Sequence, residues 1–271
     1  MTTEKYLEKL HSELLTIMDE IHKVCKDNNL TYFLAEGSLL GAVRHNGFIP
    51  WDDDLDIAMP RDDFEIFIKI APLQLSKSFR LEWTTTNEKY WQFFAKVVKQ
   101  NTMFDENSDI KLFTTGIFVD IFPLDITPEY DTTFEYRRKA VRLLKGFLSL
   151  RSRKPNCFVD VLLKPLSLIL SPSTIQSLIR KILRQLSKKG ASHYANFASC
   201  YSINKQTMPI EWFGKGKLVS FENRLYNIPH HPQEVLKSIY GDDYMIMPPL
   251  EKRKTHCPQK VVFSDGETIV F

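Results

Sequence analysis

The sequence predicts an α+β fold in which a mixed β-sheet is flanked by helices. Residues 4–27 place apolar side chains at the i, i+3, i+4 spacing of an amphipathic helix. Residues 54–59 alternate apolar with polar or small side chains, and residues 116–123 form an apolar run around one carboxylate; both patterns are typical of strands. Pro123 is expected to end the second of these strands.

The remaining core elements follow from local propensity. Asn28-Asn29 is a stop signal for the first helix, and residues 31–35 have the β-branched and aromatic content of a strand. Ser171-Pro172 is a favourable N-cap and first-turn pair for a later helix. The sequence also predicts helices at 39–44 and 62–71 and strands at 80–83 and 92–99.

Three regions are expected along the chain. Residues 1–130 hold the sheet and form the core. Residues 131–190 have a helical pattern and are strongly basic, which suggests a helical insertion. Residues 191–271 are aromatic-rich and irregular, and we expect them to pack on the core and to end in short strands.

The charge is distributed very unevenly. The whole chain has 271 residues and a formal net charge of +3. Residues 137–190 contain 14 Lys or Arg and one acid, Asp160, for a local charge of +13, which leaves −10 on the remainder. A charge asymmetry of this size is informative about the binding partners of a protein and not about its fold. The basic block would attract a polyanion or an anionic membrane surface.

Composition excludes several classes of protein. Hydrophobic content of 43% and charged content of 25% are ordinary for a folded globular chain. No apolar run reaches the length of a membrane span, and the N-terminus does not look like a signal peptide. The four cysteines contain no Cys-x-x-Cys pair, which argues against a disulfide framework. A reducing, cytoplasmic setting is therefore expected, with a location at the inner face of the membrane as a variant.

The most informative segment is the acidic run from Asp52 to Asp56, with four carboxylates in five positions. Two carboxylates about 5 Å apart repel by roughly 3 kcal/mol at an effective dielectric near 20. A divalent cation would offset this repulsion. Because side chains alternate along a strand, Asp54 and Asp56 should project from one face, with Cα atoms about 6.6 Å apart. The bland alternative is a solvated acidic turn, which the alternation with Leu55 and Ile57 disfavours.

Two further features complete a site for phosphate chemistry. Gly37-Ser38 follows a predicted strand and precedes a short helix, where backbone N–H groups can approach a phosphate. Asp120 lies alone in an apolar strand and is the candidate third carboxylate of a metal cage. Each feature alone is weak evidence, but their order and spacing are jointly specific.

The sequence resembles the LicD/fukutin family of the nucleotidyltransferase superfamily. The resemblance rests on residues 36–45, which read EGSLLGAVRH, and on residues 47–57, which read GFIPWDDDLDI. A second block at residues 118–125 (FVDIFPLD) and a C-terminal block at residues 240–244 (YGDDY), with Pro248 and His256, extend it. The resemblance implies a nucleotidyltransferase-like core.

The same resemblance implies a metal-dependent transferase that moves a phospho-alcohol from a CDP-activated donor to a glycan. Phosphocholine from CDP-choline, with release of CMP, is the expected cargo. The acceptor would be a hydroxyl of a cell-surface glycan, such as a teichoic acid or lipopolysaccharide unit, or its lipid-linked precursor. Mg²⁺ is the expected cofactor, with Mn²⁺ as an alternative.

Roles can be assigned to individual residues on this basis. Asp54, Asp56 and Asp120 are the expected catalytic and metal-binding residues, with Asp120 as third ligand or general base and Asp52 as an additional ligand. The donor phosphates are expected to contact Gly37, Ser38, Arg44 and Lys96. Trp51 and Tyr32 are candidates for contact with choline through their aromatic faces.

Some of these residues also have an ordinary structural explanation. Arg44 could pair with an acid near the turn, Lys96 could be an ordinary solvated lysine, and Trp51 could belong to the core. A zinc site built from His193 and Cys200, or from the pairs at 230–231 and 256–257, matches no zinc-finger spacing.

The basic block admits its own alternatives. Solvated helix faces are the ordinary explanation, but the apolar stripe after Ser171, flanked by cations, resembles an interfacial helix. Residues 158–170 are also apolar but too short and interrupted to span a membrane. Rival functions are a nucleotidyltransferase proper, a glycosyltransferase with an Asp-x-Asp site, and a nucleic-acid binder. Nucleic acid is not expected, because the basic block lacks interleaved stacking aromatics.

Overall fold

The computed structural model confirms the α+β class, with eight helices and twelve strands in the residues it describes. Those residues are 3–88, 90–106, 116–128, 132–152, 154–186, 192–253, 255 and 258–271.

The helices are α1 (Thr3–Asp27), α2 (Glu36–His45), α3 (Arg61–Gln74), α4 (Thr132–Ser152), α5 (Phe158–Ile169), α6 (Pro172–Leu186), α7 (Ile210–Phe213) and α8 (Pro232–Tyr240). The strands are β1 (Phe33–Leu34), β2 (Asp56–Pro60), β3 (Phe79–Glu82), β4 (Ala95–Lys99), β5 (Met103–Glu106), β6 (Phe118–Thr127), β7 (His193–Ala195), β8 (Thr207–Pro209), β9 (Lys217–Phe221), β10 (Arg224–Ile228), β11 (Pro258–Val262) and β12 (Thr268–Val270). Two 3₁₀ turns follow α8, at Asp242–Met245 and Leu250–Lys252.

The central sheet is mixed and is organised around the long strand β6. Its order is β1-β2-β6-β4-β3, with β7 paired to the far end of β6 and β8 paired to β7. β2 runs parallel to β6, whereas β4 and β7 run antiparallel to it. This arrangement brings Asp56 of β2 and Lys96 of β4 into register on either side of Asp120 in β6.

Helix α1 covers one face of this sheet, as its periodicity predicts. Its apolar stripe is buried and includes Leu10, Leu14 and Ile21, and the helix packs on β4 and β6. Each fully buried side chain of this kind contributes about 1.5–3 kcal/mol. The same core includes Val261 and Phe263, so the chain beyond β11 packs with α1.

The basic region folds into α4, α5 and α6, so the helical pattern predicted for it is confirmed. A second apolar cluster joins α4 to α6 through Val141, Leu148, Ile175 and Ile179. The backbone N–H of Thr174 donates to Ser171 Oγ at 3.1 Å, as expected for an N-cap.

No single helix among the described segments is long and apolar enough to cross a membrane. Residues 158–169 and 172–185 reach that length and composition only when taken together, and the two helices are bent by 94° at the break between them.

Several strand boundaries differ from expectation, and those of β6 and β1 have identifiable causes. β6 continues past Pro123 to Thr127, so the prediction that Pro123 ends it is wrong. On the edge of β6 that faces β4 and β7, pairing with β4 stops at Ile121 and pairing with β7 starts at Asp125. Pro123 lies between these two pairings, so its missing N–H removes no hydrogen bond on that edge. β1 is shorter than predicted, because the backbone C=O of Tyr32 accepts from the Asn227 side chain instead of a strand.

Several elements were not predicted, and β5 and α8 show why. β5 is short and pairs only with β11, more than 150 residues away in the sequence, so its partner is invisible to local patterning. α8 lies in the region expected to be irregular, although Pro232 at its first turn and the buried Val235, Leu236 and Ile239 follow helical rules.

Candidate active site

The acidic segment forms one wall of a cleft of about 480 Å³. The first turns of α2 form a second wall, and the chain from Tyr240 to Lys252 forms a third. The residues that line it are Glu36, Gly37, Leu40, Arg44, Ile49, Trp51, Asp52, Asp54, Asp56, Cys200, Tyr201, Tyr240, Tyr244, Ile246, Pro248 and Lys252.

Three carboxylates of the acidic segment, those of Asp52, Asp54 and Asp56, reach this cleft. The regular strand begins only at Asp56, so Asp54 precedes it, although Leu55 O already accepts from the N–H of Asp120 at 3.1 Å. Asp53 does not line the cleft; it is 3% exposed and borders, together with Asp54, a small cavity beside apolar side chains of α1. The acidic run therefore divides into cleft-facing and core-facing members.

Asp120 and Lys96 form a buried ion pair beside the cleft. Lys96 Nζ lies 2.8 Å from Asp120 Oδ1 and 3.2 Å from the centroid of the Phe118 ring. Lys96 is 2% exposed, so the alternative of a solvated lysine is wrong. Neither residue lines the cleft, and Lys96 neutralises Asp120 rather than pointing at the space where a donor would bind.

The Gly37-Ser38 pair shapes the carboxylate wall. Ser38 is buried, and its Oγ accepts from the N–H of Asp56 at 2.8 Å, which fixes the start of β2 against α2. A Cβ on Gly37 would lie 2.7 Å from Asp52 Oδ2, so a larger residue would require that carboxylate to shift. Gly37 reaches the cleft, whereas Ser38 acts from behind it.

Glu36 adds a fourth carboxylate to the cleft. It adopts a positive φ of 46° at the start of α2, a conformation that costs a non-glycine residue of the order of 1 kcal/mol and occurs often at functional sites. Gln206 Nε2 donates to its Oε1 at 3.1 Å. Burial, reinforced by the charges of Asp54 and Asp120, raises the pKa of Glu36 to about 7.

The pKa of Asp56 is raised by the same two causes. Burial raises the pKa of Asp56 well above its ordinary value, and the nearby charges of Asp54, Asp120 and Glu36 raise it further. Negative charge therefore accumulates around Asp56. A bound cation would relieve it.

Aromatic side chains form another part of the cleft wall. Tyr201 and Tyr240 meet edge to face with ring centroids 5.6 Å apart, and Tyr244 and Trp51 line the same space. Aromatic faces and carboxylates both attract cations, and the faces also accept methyl groups. The cleft is suited to an organic cation such as a quaternary ammonium.

Trp51 and Tyr32, the two sequence candidates for such contacts, are placed differently. Trp51 lines the cleft, but Arg253 stacks over its ring with Cζ 4.2 Å from the centroid. Tyr32 is buried outside the cleft, where its hydroxyl hydrogen-bonds to His22 Nδ1 at 2.6 Å. The structure gives Tyr32 no access to a ligand in this cleft.

Arg44 lines the cleft, but part of its guanidinium already donates hydrogen bonds to other protein groups. Its Nη1 donates to Tyr244 O at 2.9 Å and its Nε donates to His45 Nε2 at 2.9 Å, so it holds the C-terminal wall against α2. It pairs with backbone and imidazole rather than with the acid proposed as an alternative. Lys252 adds a second cation at the rim.

The donor set at the cleft fits a hard divalent cation in type. Asp52, Asp54 and Asp56 supply only carboxylate oxygens, which Mg²⁺ and Mn²⁺ prefer to the nitrogen and sulfur ligands of zinc. Across the described segments, no three His, Cys, Asp or Glu side chains already stand in a ligand arrangement. His256 and Cys257, part of the zinc alternative and of the C-terminal motif, lie outside those segments.

Sequence reasoning missed part of this site. Glu36 lay inside the strongest motif, but nothing in the pattern distinguished its carboxylate from a surface residue. Tyr240 and Tyr244 lay inside the C-terminal motif without an assigned role. Tyr201 gave no signal at all, since it reaches the cleft only through tertiary packing.

Comparison with known proteins finds a matching family model and several related proteins. The family model "LicD/FKTN/FKRP, nucleotidyltransferase domain" matches residues 29–159. A lipopolysaccharide cholinephosphotransferase LicD of Haemophilus influenzae is 30% identical over 248 residues, which cover 89% of this chain and 92% of that protein. An uncharacterized protein of Rickettsia typhi is 40% identical over 75 residues, covering 28% of this chain and 24% of its own. An uncharacterized protein of Rickettsia prowazekii is 32% identical over 111 residues, covering 41% and 40%.

Proposed function

The chain belongs to the LicD family and is a phosphotransferase, and we propose that it transfers phosphocholine from CDP-choline to a hydroxyl of a cell-surface glycan or its lipid-linked precursor. The name of the Haemophilus relative favours a lipopolysaccharide unit as acceptor over a teichoic acid. We also propose that the sheet of β2, β4 and β6 corresponds to a nucleotidyltransferase-like core.

The observation that supports this cargo best is the pairing of carboxylates with aromatic rings in one cleft. Choline carries a permanent positive charge and three methyl groups. The rings of Tyr201, Tyr240 and Tyr244 can contact those methyl groups, and the carboxylates of the same cleft supply a favourable potential. A neutral alcohol such as glycerol or ribitol would gain nothing from either feature.

The transfer requires charge neutralisation and positioning rather than covalent chemistry by the protein. In the proposed reaction, the acceptor oxygen attacks the phosphorus that carries choline. The bond from that phosphorus to the bridging oxygen breaks, and CMP leaves with the oxygen and the electron pair. Asp54 and Asp56, with Asp52 as an additional ligand, would hold Mg²⁺ or Mn²⁺, which would neutralise charge on the pyrophosphate.

The acceptor proton must pass to a base within reach of the cleft. Asp120 is the candidate from the sequence, but it is paired to Lys96 behind the wall. Glu36 lines the cleft, and its pKa of about 7 suits a group that accepts a proton near neutral pH. We therefore assign the base to Glu36 and give Asp120 a charge-balancing role behind the carboxylate wall. Arg44 and Lys252 would contact the donor phosphates at the rim.

A second cleft is placed to receive an anionic acceptor. It has a volume of about 550 Å³ and shares Cys200 and Tyr201 with the first. Arg138, Arg142 and Lys145 of α4 line it, and burial lowers the pKa of Lys145 to about 8. Phosphate or carboxylate groups of a glycan precursor would be attracted here. Arg142→Ala should then raise KM for the acceptor without changing CDP-choline hydrolysis.

A donor screen tests the proposed function. The enzyme is incubated with CDP-choline, CDP-ethanolamine, CDP-glycerol or CDP-ribitol, with and without Mg²⁺, and CMP release is measured. The proposal predicts Mg²⁺-dependent release that is fastest with CDP-choline. Pyrophosphate release from CTP would support a nucleotidyltransferase instead, and turnover of a sugar nucleotide would support an Asp-x-Asp glycosyltransferase.

A further inference from the structure

Helix α5 exposes an unusual amount of apolar surface. Phe158, Leu162 and Ile169 are 76%, 62% and 73% exposed, and with Leu166 they follow one another at helical spacing along one side. Val159, Val161 and Leu168 widen the patch and are also more than half exposed. A folded protein rarely leaves a contiguous apolar patch of this kind in water without a partner for it.

Helix α6 behaves in the opposite way. Its apolar stripe, which the sequence marked as the interfacial one, is buried against α4 through Ile175, Ile179 and Leu183. The prediction that the stripe after Ser171 is interfacial is therefore wrong. The exposed apolar surface belongs to the neighbouring helix α5, whose apolar sequence is too short and interrupted to span a membrane.

Charge around α5 indicates what its partner is. Arg151 of α4 donates through Nη1 to Leu170 O at 2.7 Å, which places this cation at the C-terminal end of α5. Lys154 precedes the helix and Lys164 lies within it, inside a region that carries 14 basic residues and one acid. Apolar side chains surrounded by cations complement a bilayer whose head groups are anionic.

The same charges argue against a second copy of the chain as partner. Two copies that met through α5 would bring two regions of charge +13 together, and these would repel. The geometry also argues against a helix that spans the bilayer. A 12-residue helix is about 18 Å long, short of the roughly 30 Å hydrocarbon core, and its neighbour α6 is held in the protein core.

We propose that α5 lies in the surface of an anionic lipid bilayer, with Phe158, Leu162 and Ile169 inserted among the lipid chains. The basic residues that flank the helix contact the head groups. This inference does not depend on the transfer chemistry, because it rests only on exposure and charge. It would keep the enzyme at the surface where a lipid-linked glycan is found.

Vesicle co-sedimentation of the full chain tests the inference. Vesicles of phosphatidylcholine, with or without phosphatidylglycerol, are compared for wild type and for the triple variant Phe158→Asp, Leu162→Asp, Ile169→Asp. The matched control is Leu73→Asp, Leu218→Asp, Leu225→Asp, which changes three apolar residues of 86%, 58% and 58% exposure elsewhere and alters net charge equally. Thermal unfolding followed by circular dichroism verifies that both variants fold.

The inference predicts binding to the anionic vesicles that weakens with salt. The α5 variant should bind about 100-fold more weakly, since three large apolar side chains no longer enter the bilayer, and the control should stay within about threefold of wild type. Absence of wild-type binding at low salt, or equal loss in both variants, would overturn the proposal. So would a wild-type dimer that only the α5 variant dissociates, combined with no vesicle binding.

Discussion

Lys96 and Asp120 are register partners in adjacent strands, and their side chains form an ion pair with Nζ and Oδ1 2.8 Å apart. Asp120 is at the same time the register partner of Asp56 on the other side. One buried cation therefore stands behind the carboxylate wall of the cleft. It neutralises the member of the cluster that does not face the cleft.

Replacing this cation should destabilise the protein. We expect Lys96→Met to lower the free energy of unfolding by about 3 kcal/mol, because Asp120 loses the counter-charge that Lys96 supplies beside Asp56. Urea denaturation measures the change, and Mg²⁺ should restore part of the loss. Lys139→Met is the control, since its ion pair with Glu135 is largely solvated and is worth at most about 0.5 kcal/mol. Equal losses in the two variants would contradict the account.

The division of the acidic run predicts opposite effects of neighbouring substitutions. Asp54→Asn and Asp56→Asn should each reduce turnover by roughly 10³-fold, because each removes a carboxylate that would hold the metal ion needed to neutralise the pyrophosphate. Asp53→Asn should retain turnover and lose stability instead, since that carboxylate is buried outside the cleft. Steady-state CMP release and thermal unfolding separate the two outcomes. Comparable activity of the Asp53 and Asp56 variants would refute the assignment.

The raised pKa of Glu36 predicts how stability depends on pH. The folded state binds this proton more tightly than the unfolded state, so Glu36 contributes stability below pH 4.5 that is lost as pH rises towards 7. Glu36→Gln should therefore stabilise the metal-free protein at pH 8, by at most about 3 kcal/mol, and should flatten the pH dependence. The substitution should also remove the proposed general base and slow the transfer of phosphocholine.

Glu8→Gln is the matched control for that variant, since Glu8 is exposed on α1. Unfolding free energies at pH 5, 6, 7 and 8 are compared for the three proteins, the pH values spanning the shift from 4.5 to about 7. A wild-type pH profile that Glu36→Gln leaves unchanged would exclude Glu36 as the titrating group.

The positions of several candidate residues follow from strong local patterns in the central strands. The alternation of Asp54 and Asp56 with apolar residues identified the cleft-facing carboxylates, and Asp120 was placed in the adjacent strand. Local pattern did not reveal that Lys96 would pair with Asp120, since the register of β4 depends on the whole sheet. It also did not separate α5 from α6, because both are apolar and basic and only tertiary packing decides which one is buried.

The aromatic wall predicts selectivity for the choline group. Tyr244→Leu should raise KM for CDP-choline roughly tenfold and leave KM for CDP-glycerol nearly unchanged, because only choline offers a cation to the ring. Tyr136→Leu is the control, since Tyr136 is 74% exposed on α4 and does not line the cleft. An equal rise for both donors would show that the ring positions the nucleotide instead.

The central claim is that the phosphorus bearing choline moves and the cytidine leaves. CDP-choline labelled separately in cytidine and in the choline-bearing phosphate follows both parts when the enzyme acts on a lipopolysaccharide precursor. The account predicts the phosphate label on the acceptor and the cytidine label in free CMP, with Asp56→Asn giving neither. Cytidine label on the acceptor would contradict it.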